Sequence, residues 1–466
     1  MDKLIDEIVE VRVSDAVASA TATSVNTAAV VGVTEKQGAV TQVLYDQESV
    51  EDAYETGTRR VVFLEPSVST AASGEVQLKL GGTTVATAKV KGGDDASTVR
   101  SVVKALATSF NAEGYTAKAS ATKLTITSEA YGATASADGA FTVVWNSTGF
   151  SGSPSNTDGT DGADLVAVTK AFFEEADNPG RLVCIPADAD PTGSEIGDVL
   201  DAALDMGRDA NNREIDFYNV IVRLGEGATS SSVVSLANAL EEWCKTNSKL
   251  GHIEVQDRAV GEDAMATLSE KPLSRVAIYF HKETSGKSLA AALVADRCGN
   301  DPARGTWAHK TLASIKADST SKANLKDAED LGLNVYVKIA GVDRTYFGTT
   351  GSDKAFIDSV VKKDWLKFRT QEAVFNTLGS ANNGDGVDYN DSGIQAIAAA
   401  MNGIFNTAMD NDHRYVLPDS TDIEVPKYAD ISAEDKAVRN LPDVKATFEI
   451  QESIHTVKTI ELQVVR

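Results

Sequence analysis

Cysteine, histidine and proline are scarce in this chain: three, five and ten residues among 466. Cys184, Cys244 and Cys298 are odd in number and widely spaced, which argues against a disulfide framework or a thiolate metal cluster. They read as small buried thiols in a reducing compartment. His252, His281, His309, His413 and His455 are scattered, and none forms an H-x-x-x-H pair. Aromatic residues make up only 6 %. No apolar run reaches the roughly 18 residues that suggest a membrane span. The N-terminal MDKLIDEIVEVRV is acidic and charge-broken where a secretion signal would be apolar. Positive charge is short as well: 44 Lys and Arg against 68 Asp and Glu give a net −24 with no basic stripe. Nucleic acid and direct membrane insertion are therefore not expected.

What the chain does have is length and patterning. Its 466 residues predict two to four domains, and 42 % hydrophobic content is enough for real cores. Residues 8–14 (IVEVRVS) alternate apolar and polar, a short strand carrying Val9, Val11 and Val13 on one face. Residues 27–33 read as a buried strand and 49–55 as a short helix. From Gly74 onward the pattern is strand, Gly-Gly turn, strand, helix (96–111), strand (115–120), strand (123–128) and strand (140–145). Residues 66–150 carry seven Lys/Arg and six Asp/Glu, so the acidity lies elsewhere. They are followed by the polar loop 146–164, and 66–150 are expected to be an inserted ββαββ-like domain.

A regular alternation then begins. Strands are expected at 181–185, 216–224, 251–255 and 275–281, and helices at 194–211, 230–248, 263–268 and 288–297. Apolar strands separated by helices indicate an α/β sheet covered on both faces. The last third changes character: a hairpin from 334 to 348, long helices at 355–378 and 392–409, and a closing segment 447–466. In that segment Phe448, Ile450, Ile454, Ile460, Leu462 and Val464 share one parity. The expected fold is thus a multidomain α/β protein, α+β in its C-terminal part, with terminal β-arms. The expected division is an N-terminal arm 1–26, an α/β core 27–65 and 151–345, the insert 66–150, an inner helical domain 346–446 and a C-terminal arm 447–466.

Motifs that might carry chemistry are all defective. HKETSGKS (281–288) ends like a phosphate loop, yet His281 stands where the loop needs its first glycine. Gly225-Glu226-Gly227 lacks the third glycine of a dinucleotide loop and places a glutamate where pyrophosphate would approach. The stretch 388–393 (DYNDSG) resembles a calcium loop, but its twelfth position is Ala399 where glutamate is needed. No enzymatic activity, cofactor or metal is expected. An NTP-binding α/β enzyme resting on 281–288 is the alternative, with a different capsid or tail component or an adhesin behind it. The informative feature is the pair of ends, whose strand patterns offer unpaired edges for association between chains.

One resemblance gives these ends a meaning. Thr306-Trp307, Lys310-Thr311-Leu312, the run LGLNVYV (331–337), Gly348-Thr349, Phe356-Ile357-Asp358 and Asp364-Trp365-Leu366 occur in order. Gln371, Val374, Tyr389, Gly393, Ile394 and the closing Ile454-His455-Thr456-Val457 follow. Together they resemble the contractile bacteriophage tail sheath family over about residues 180–466, with 66–150 corresponding to a variable insertion. The resemblance implies a structural subunit of a virion or phage-like particle, made in the host cytoplasm. Such subunits stack as hexameric rings around an inner tail tube protein, between baseplate and tail terminator proteins, and contract to drive the tube through the host envelope. It also implies strand exchange between neighbouring subunits through the two arms, at Val9, Val11, Val13, Phe448, Ile450, Ile454, Ile460, Leu462 and Val464.

Overall fold

The computed structural model describes residues 24–455 apart from 35, 37, 55–58, 92–94, 132–138, 158–163, 188, 226, 270, 272, 283–286 and 352–354. The chain forms two compact units, divided between Tyr54 and Glu55 and again between Ala163 and Asp164. The fold is mixed α/β, as the alternation of strands and helices implies.

In the larger unit eight strands form one sheet. They are β1 (Ala28–Val33), β2 (Gln42–Leu44), β3 (Leu182–Ala187), β4 (Asn219–Arg223), β5 (Leu250–Val255), β6 (Val276–Phe280), β7 (Asn334–Ile339) and β8 (Val342–Tyr346). Their order is β8-β7-β6-β5-β4-β1-β3-β2. The six inner strands are parallel, and β2 and β8 run antiparallel at the edges. The chain starts in the middle, winds to one side, then crosses back and winds to the other, which is double winding. Parallel strands must be covered on both faces, and β4 and β5 are buried along their whole length.

The helices supply that cover. Numbered along the unit they are α1 (Gln47–Tyr54), α2 (Asp164–Phe173), α3 (Ile196–Asp205), α4 (Ser230–Asn247), α5 (Arg258–Leu268), α6 (Leu289–Gly299), α7 (Lys322–Leu331), α8 (Ile357–Ser380) and α9 (Asp391–Met409). Helices α3, α4 and α5 bury Ile196, Leu200, Val233, Leu236 and Met265 in the core with Val220, Ile253 and Ile278 of the sheet. Helix α6 is buried at Leu289, Ala290, Ala291, Ala292, Leu293, Val294 and Ala295, because it packs on the sheet and on α2 at once. Helix α5 starts five residues before the sequence places it, since the Asp257 carboxylate accepts from Ala259 N and Val260 N. Gly332 ends α7 with φ +78°, a left-handed turn that a side chain resists.

A buried polar line crosses the sheet. The His252 ring lies 3.0 Å from Tyr279 Oη and 3.1 Å from Asn219 Oδ1. The Asn219 amide donates to Thr27 O, so its Oδ1 accepts and His252 donates from Nε2. Burial pushes the imidazole down to about 3, so it is neutral and structural.

The smaller unit has its own core. Strands Gly74–Leu80, Thr83–Val90 and Phe141–Val144 form one antiparallel sheet. Strands Arg59–Leu64, Tyr115–Ser120, Lys123–Tyr131 and Ser155–Thr157 form another. The helix Asp95–Ser109 buries Val102, Val103 and Leu106 against Leu78, Leu124 and Ile126. The expected limits of 66 and 150 are thus too narrow. Val62 and Leu64 belong to this core, and Ser155–Thr157 pairs with their strand. The loop expected at 146–164 holds two short strands, Phe150–Ser151 and Ser155–Thr157.

The expected separate domain 346–446 is not a separate unit either. It lies with the α/β sheet because α8 buries Ile357, Val361, Leu366 and Phe368. Residues 55–163 are expected to fold alone. A fragment of those residues should give a β-rich circular dichroism spectrum and one cooperative thermal transition, whereas a non-cooperative melt would show that its core depends on the rest of the chain.

Candidate assembly edge

In doubly wound sheets, ligands sit at the C-terminal ends of the strands. Here that ground is occupied by the chain itself. Ser288 caps α6, accepting from Ala291 N at 3.1 Å and donating to Glu254 Oε2 at 2.6 Å. Ala290 N also donates to Glu254 Oε2, at 2.8 Å. A buried carboxylate thus fills the helix N-terminus, where a phosphate would otherwise be drawn by unpaired N–H groups and the helix dipole. Arg223 lies beside it, its Nε 3.3 Å from Glu254 and its Nη1 3.4 Å from Asp164. Burial raises the Asp164 carboxyl above its ordinary range, against the pull of Arg223. Lys287, the would-be phosphate lysine, donates to Ser314 O at 2.9 Å and lies 2.6 Å from Glu174 Oε2. His281 contacts Asp318 Oδ2 at 2.9 Å. Residues 283–286 of this loop lie outside the described residues.

The other two lures are also spoken for. Gly225 N donates to Asp190 Oδ2 at 2.8 Å, so a carboxylate holds the place of an anion, and Thr229 caps α4. Glu226 lies outside the described residues. In the calcium-like stretch, Asn390 caps α9 through Gly393 N, and Asp391 Oδ1 accepts from Tyr428 N at 2.7 Å. Among the described residues no group of three or more His, Cys, Asp and Glu side chains could hold a metal ion. The three cysteines are buried, and burial raises each thiol far above its usual range or up to about 12 for Cys298.

At the opposite end of the sheet a buried ion pair fastens α8. Arg275 donates from Nη1 to Asp364 Oδ2 at 2.7 Å and from Nη2 to Oδ1 at 2.8 Å. Tyr218 Oη donates to the same carboxylate at 2.6 Å. Burial works against the charge on Arg275 and Asp364 outweighs it, so the guanidinium is held above its ordinary value. Glu241 of α4 accepts from Ser274 N and Arg275 N at 2.8 Å each, which fixes the backbone that carries the arginine.

The sheet edges differ in what they leave open. At β2, the Val43 N–H donates to Asp209 Oδ2 at 3.1 Å and the Val43 carbonyl accepts from Arg213 Nη1, so side chains cap the strand. At β8, His309 N donates to Thr345 O at 2.8 Å and Thr345 N to Lys310 O at 2.9 Å, so the 309–311 segment covers it. The third edge belongs to an antiparallel ribbon of β9 (Asp422–Glu424) and β10 (Lys445–Thr447). The pairing continues past β10, with Val416 opposite Ile450 and Leu417 N donating to Glu449 O at 2.9 Å. Ile423, Val444 and Ala446 face Val374, Ile397 and Met401 of α8 and α9, while Asp422, Glu424, Lys445, Thr447 and Glu449 are exposed. Among the described residues no further strand pairs with either outer side of this ribbon. A two-stranded ribbon is marginal alone and gains from added strands.

The residues singled out from the sequence fall into three groups. Phe448, half-buried, packs its ring 5.2 Å from that of Phe405, and Ile450 pairs with Val416, so both belong to the ribbon of their own chain. Ile454 is 86 % exposed. Val9, Val11, Val13, Ile460, Leu462 and Val464 lie outside the described residues. The strand Asp422–Glu424 was missed; its only signal is Ile423 between two acidic residues. No protein-family model matches this chain, and a search of curated proteins finds no match.

Two outcomes are expected. Asp364→Ala leaves Arg275 charged and buried without its carboxylate, and should cost roughly 3–5 kcal/mol in urea unfolding. Lys287→Ala loses a half-exposed ion pair worth at most about 1 kcal/mol. Calorimetry with ATP and magnesium should show no micromolar binding to the native chain or to this variant. A dissociation constant that vanishes in Lys287→Ala would revive the enzyme alternative.

Proposed function

We propose that this chain is the sheath subunit of a contractile phage tail or phage-like particle. The observation that supports it most is the open ribbon β9–β10, in a subunit whose main sheet closes both of its own edges. In the larger unit a chain built this way accepts an extended strand at the ribbon and discourages it at both edges of the main sheet. The alternating patterns at Val9, Val11 and Val13 and at Ile460, Leu462 and Val464 supply such strands from neighbouring copies. The order of the motifs between residues 306 and 409 supports the same family.

On this reading the subunits stack as hexameric rings around an inner tail tube, bounded by baseplate and terminator proteins, and the virion tail is their place. Contraction draws on free energy stored at assembly, so it needs no nucleotide. The filled N-terminus of α6 fits that requirement. No helix among the described residues is long and apolar enough to cross a membrane. The tube, on this reading, does the piercing.

Electron microscopy of the concentrated full-length protein should reveal tubes of stacked rings. Removing residues 456–466, or residues 1–14, should abolish tubes and leave the far-ultraviolet spectrum unchanged. Tubes formed by either truncated chain would reject strand exchange. A native chain that stays monomeric at all concentrations would reject the sheath assignment itself.

A further inference from the structure

Just before the described residues end, the C-terminal segment is fastened a last time. Thr306 Oγ1 accepts from Ala308 N at 2.9 Å and lies 2.6 Å from His455 Nε2, to which its hydroxyl proton can turn. His309 Nε2 lies 3.1 Å from the His455 carbonyl oxygen and must therefore carry a proton. The second bond makes His309 a donor from Nε2, and with the Thr306 hydroxyl donating, a neutral His455 accepts at its own Nε2. The two rings meet edge to face at 5.9 Å, and the Phe356 ring closes on His455 at 4.6 Å. His309 is held in a left-handed backbone conformation, φ +61°, by its N–H on Thr345 O and by Arg344 Nη1 donating to its carbonyl at 2.7 Å. Upstream, Lys362 Nζ donates to Gln451 O at 2.8 Å.

We propose that His455 and His309 form an acid-sensitive clasp. When both are neutral they fasten residues 452–455 to the loop around Thr306. A proton on His455 opens them. The added N–H would point at the Thr306 hydroxyl, whose oxygen already serves Ala308, and the bond would have to turn round. The new cation would also face a second imidazole, with Arg344 bonded to that residue's backbone. Other charges face the clasp. Asp358 and Lys362 come from α8, paired with each other at 2.6 Å, and Glu452 comes from the segment itself. Asp358 and Glu452 favour the proton, while Lys362 and His309 oppose it. Burial is the largest influence and also opposes it, leaving His455 below its ordinary value. The clasp lies within one subunit and does not rest on the assembly reading.

Hydrogen exchange of the full chain at about pH 7.5 and about pH 5, with times scaled for the intrinsic rate, tests it across the histidine range. Peptides over residues 449–455 should lose protection by about tenfold at the lower pH, while β4 and β5 keep theirs. His455→Gln can still accept from Thr306 but cannot take a proton, so its protection should be equal at both values. Equal protection in the native chain, an equal loss in His455→Gln, or a loss that spreads to β4 and β5 would each overturn the proposal. Should His455→Gln be open at both values, His309→Gln decides. A smaller acid loss than native supports the paired clasp, and an undiminished loss overturns it.

Discussion

The buried pair Arg275–Asp364 is the constraint on which the arrangement of the larger unit depends. An ion pair with almost no solvent access contributes little net stability, because desolvation of both charges offsets their attraction. Its value here is positional. Both guanidinium N–H groups and both carboxylate oxygens are engaged, and Tyr218 adds a third bond. A helix that slid along the sheet would break all of them and strand two charges. Helix α8 is therefore held in one register against the sheet. Helix α9 packs on α8, and the β9–β10 ribbon packs on both. The open edge of the subunit is thus referenced, through one ion pair, to the α/β core.

The same economy governs the C-terminal end of the sheet. Doubly wound folds leave a crevice there because loops diverge at the point where the winding reverses. In this chain Glu254, Arg223, Ser288 and Asp164 fill it. Each charge has an opposite charge or a helix N-terminus beside it, so its charges are balanced from within the chain. The His252 line between Asn219 and Tyr279 does likewise in neutral form. Polar groups buried in this way favour a single packing, since any slip leaves donors unpaired.

Edge management is the other organising theme. Asp209 and Arg213 cap β2, and the 309–311 segment covers β8. The ribbon has no such cover and carries Asp422, Glu424 and Glu449 against Lys445 on its exposed face, an acidic surface in an acidic chain. Repulsion between like faces discourages indiscriminate edge pairing while leaving the backbone groups available.

How much of this was legible depends on the range of the interactions concerned. Residues 27–33, 216–224, 251–255 and 275–281 announced themselves as buried strands because a sheet covered on both faces demands mostly apolar segments, here interrupted by polar groups such as His252 and Glu254 that are paired within the core. Ser288 opened the helix expected at 288–297, and the structure makes it that helix's cap. Helix α7 was missed although Ser321 and Gly332 mark its two ends, because half of its residues are charged and its apolar stripe is only Leu325, Ala328 and Leu331. The limits of the smaller unit were misjudged because the strand Arg59–Leu64 looks like any core strand; only its pairing with Lys123–Tyr131, far along the chain, assigns it. The same holds for the ribbon. Parity in the sequence marked Phe448 and Ile450 as one face of a strand, but parity does not name a partner. Residues 416–424 became that partner through contacts with α8 and α9. The sequence by itself determined the alternating strands and helices between residues 181 and 297 and that its phosphate-like loop is defective, since those rest on neighbouring residues. Only the tertiary structure decided that Glu254 fills the N-terminus of α6, that both edges of the eight-stranded sheet are covered while the ribbon is not, and that Asp364 meets Arg275, because each joins groups distant in sequence.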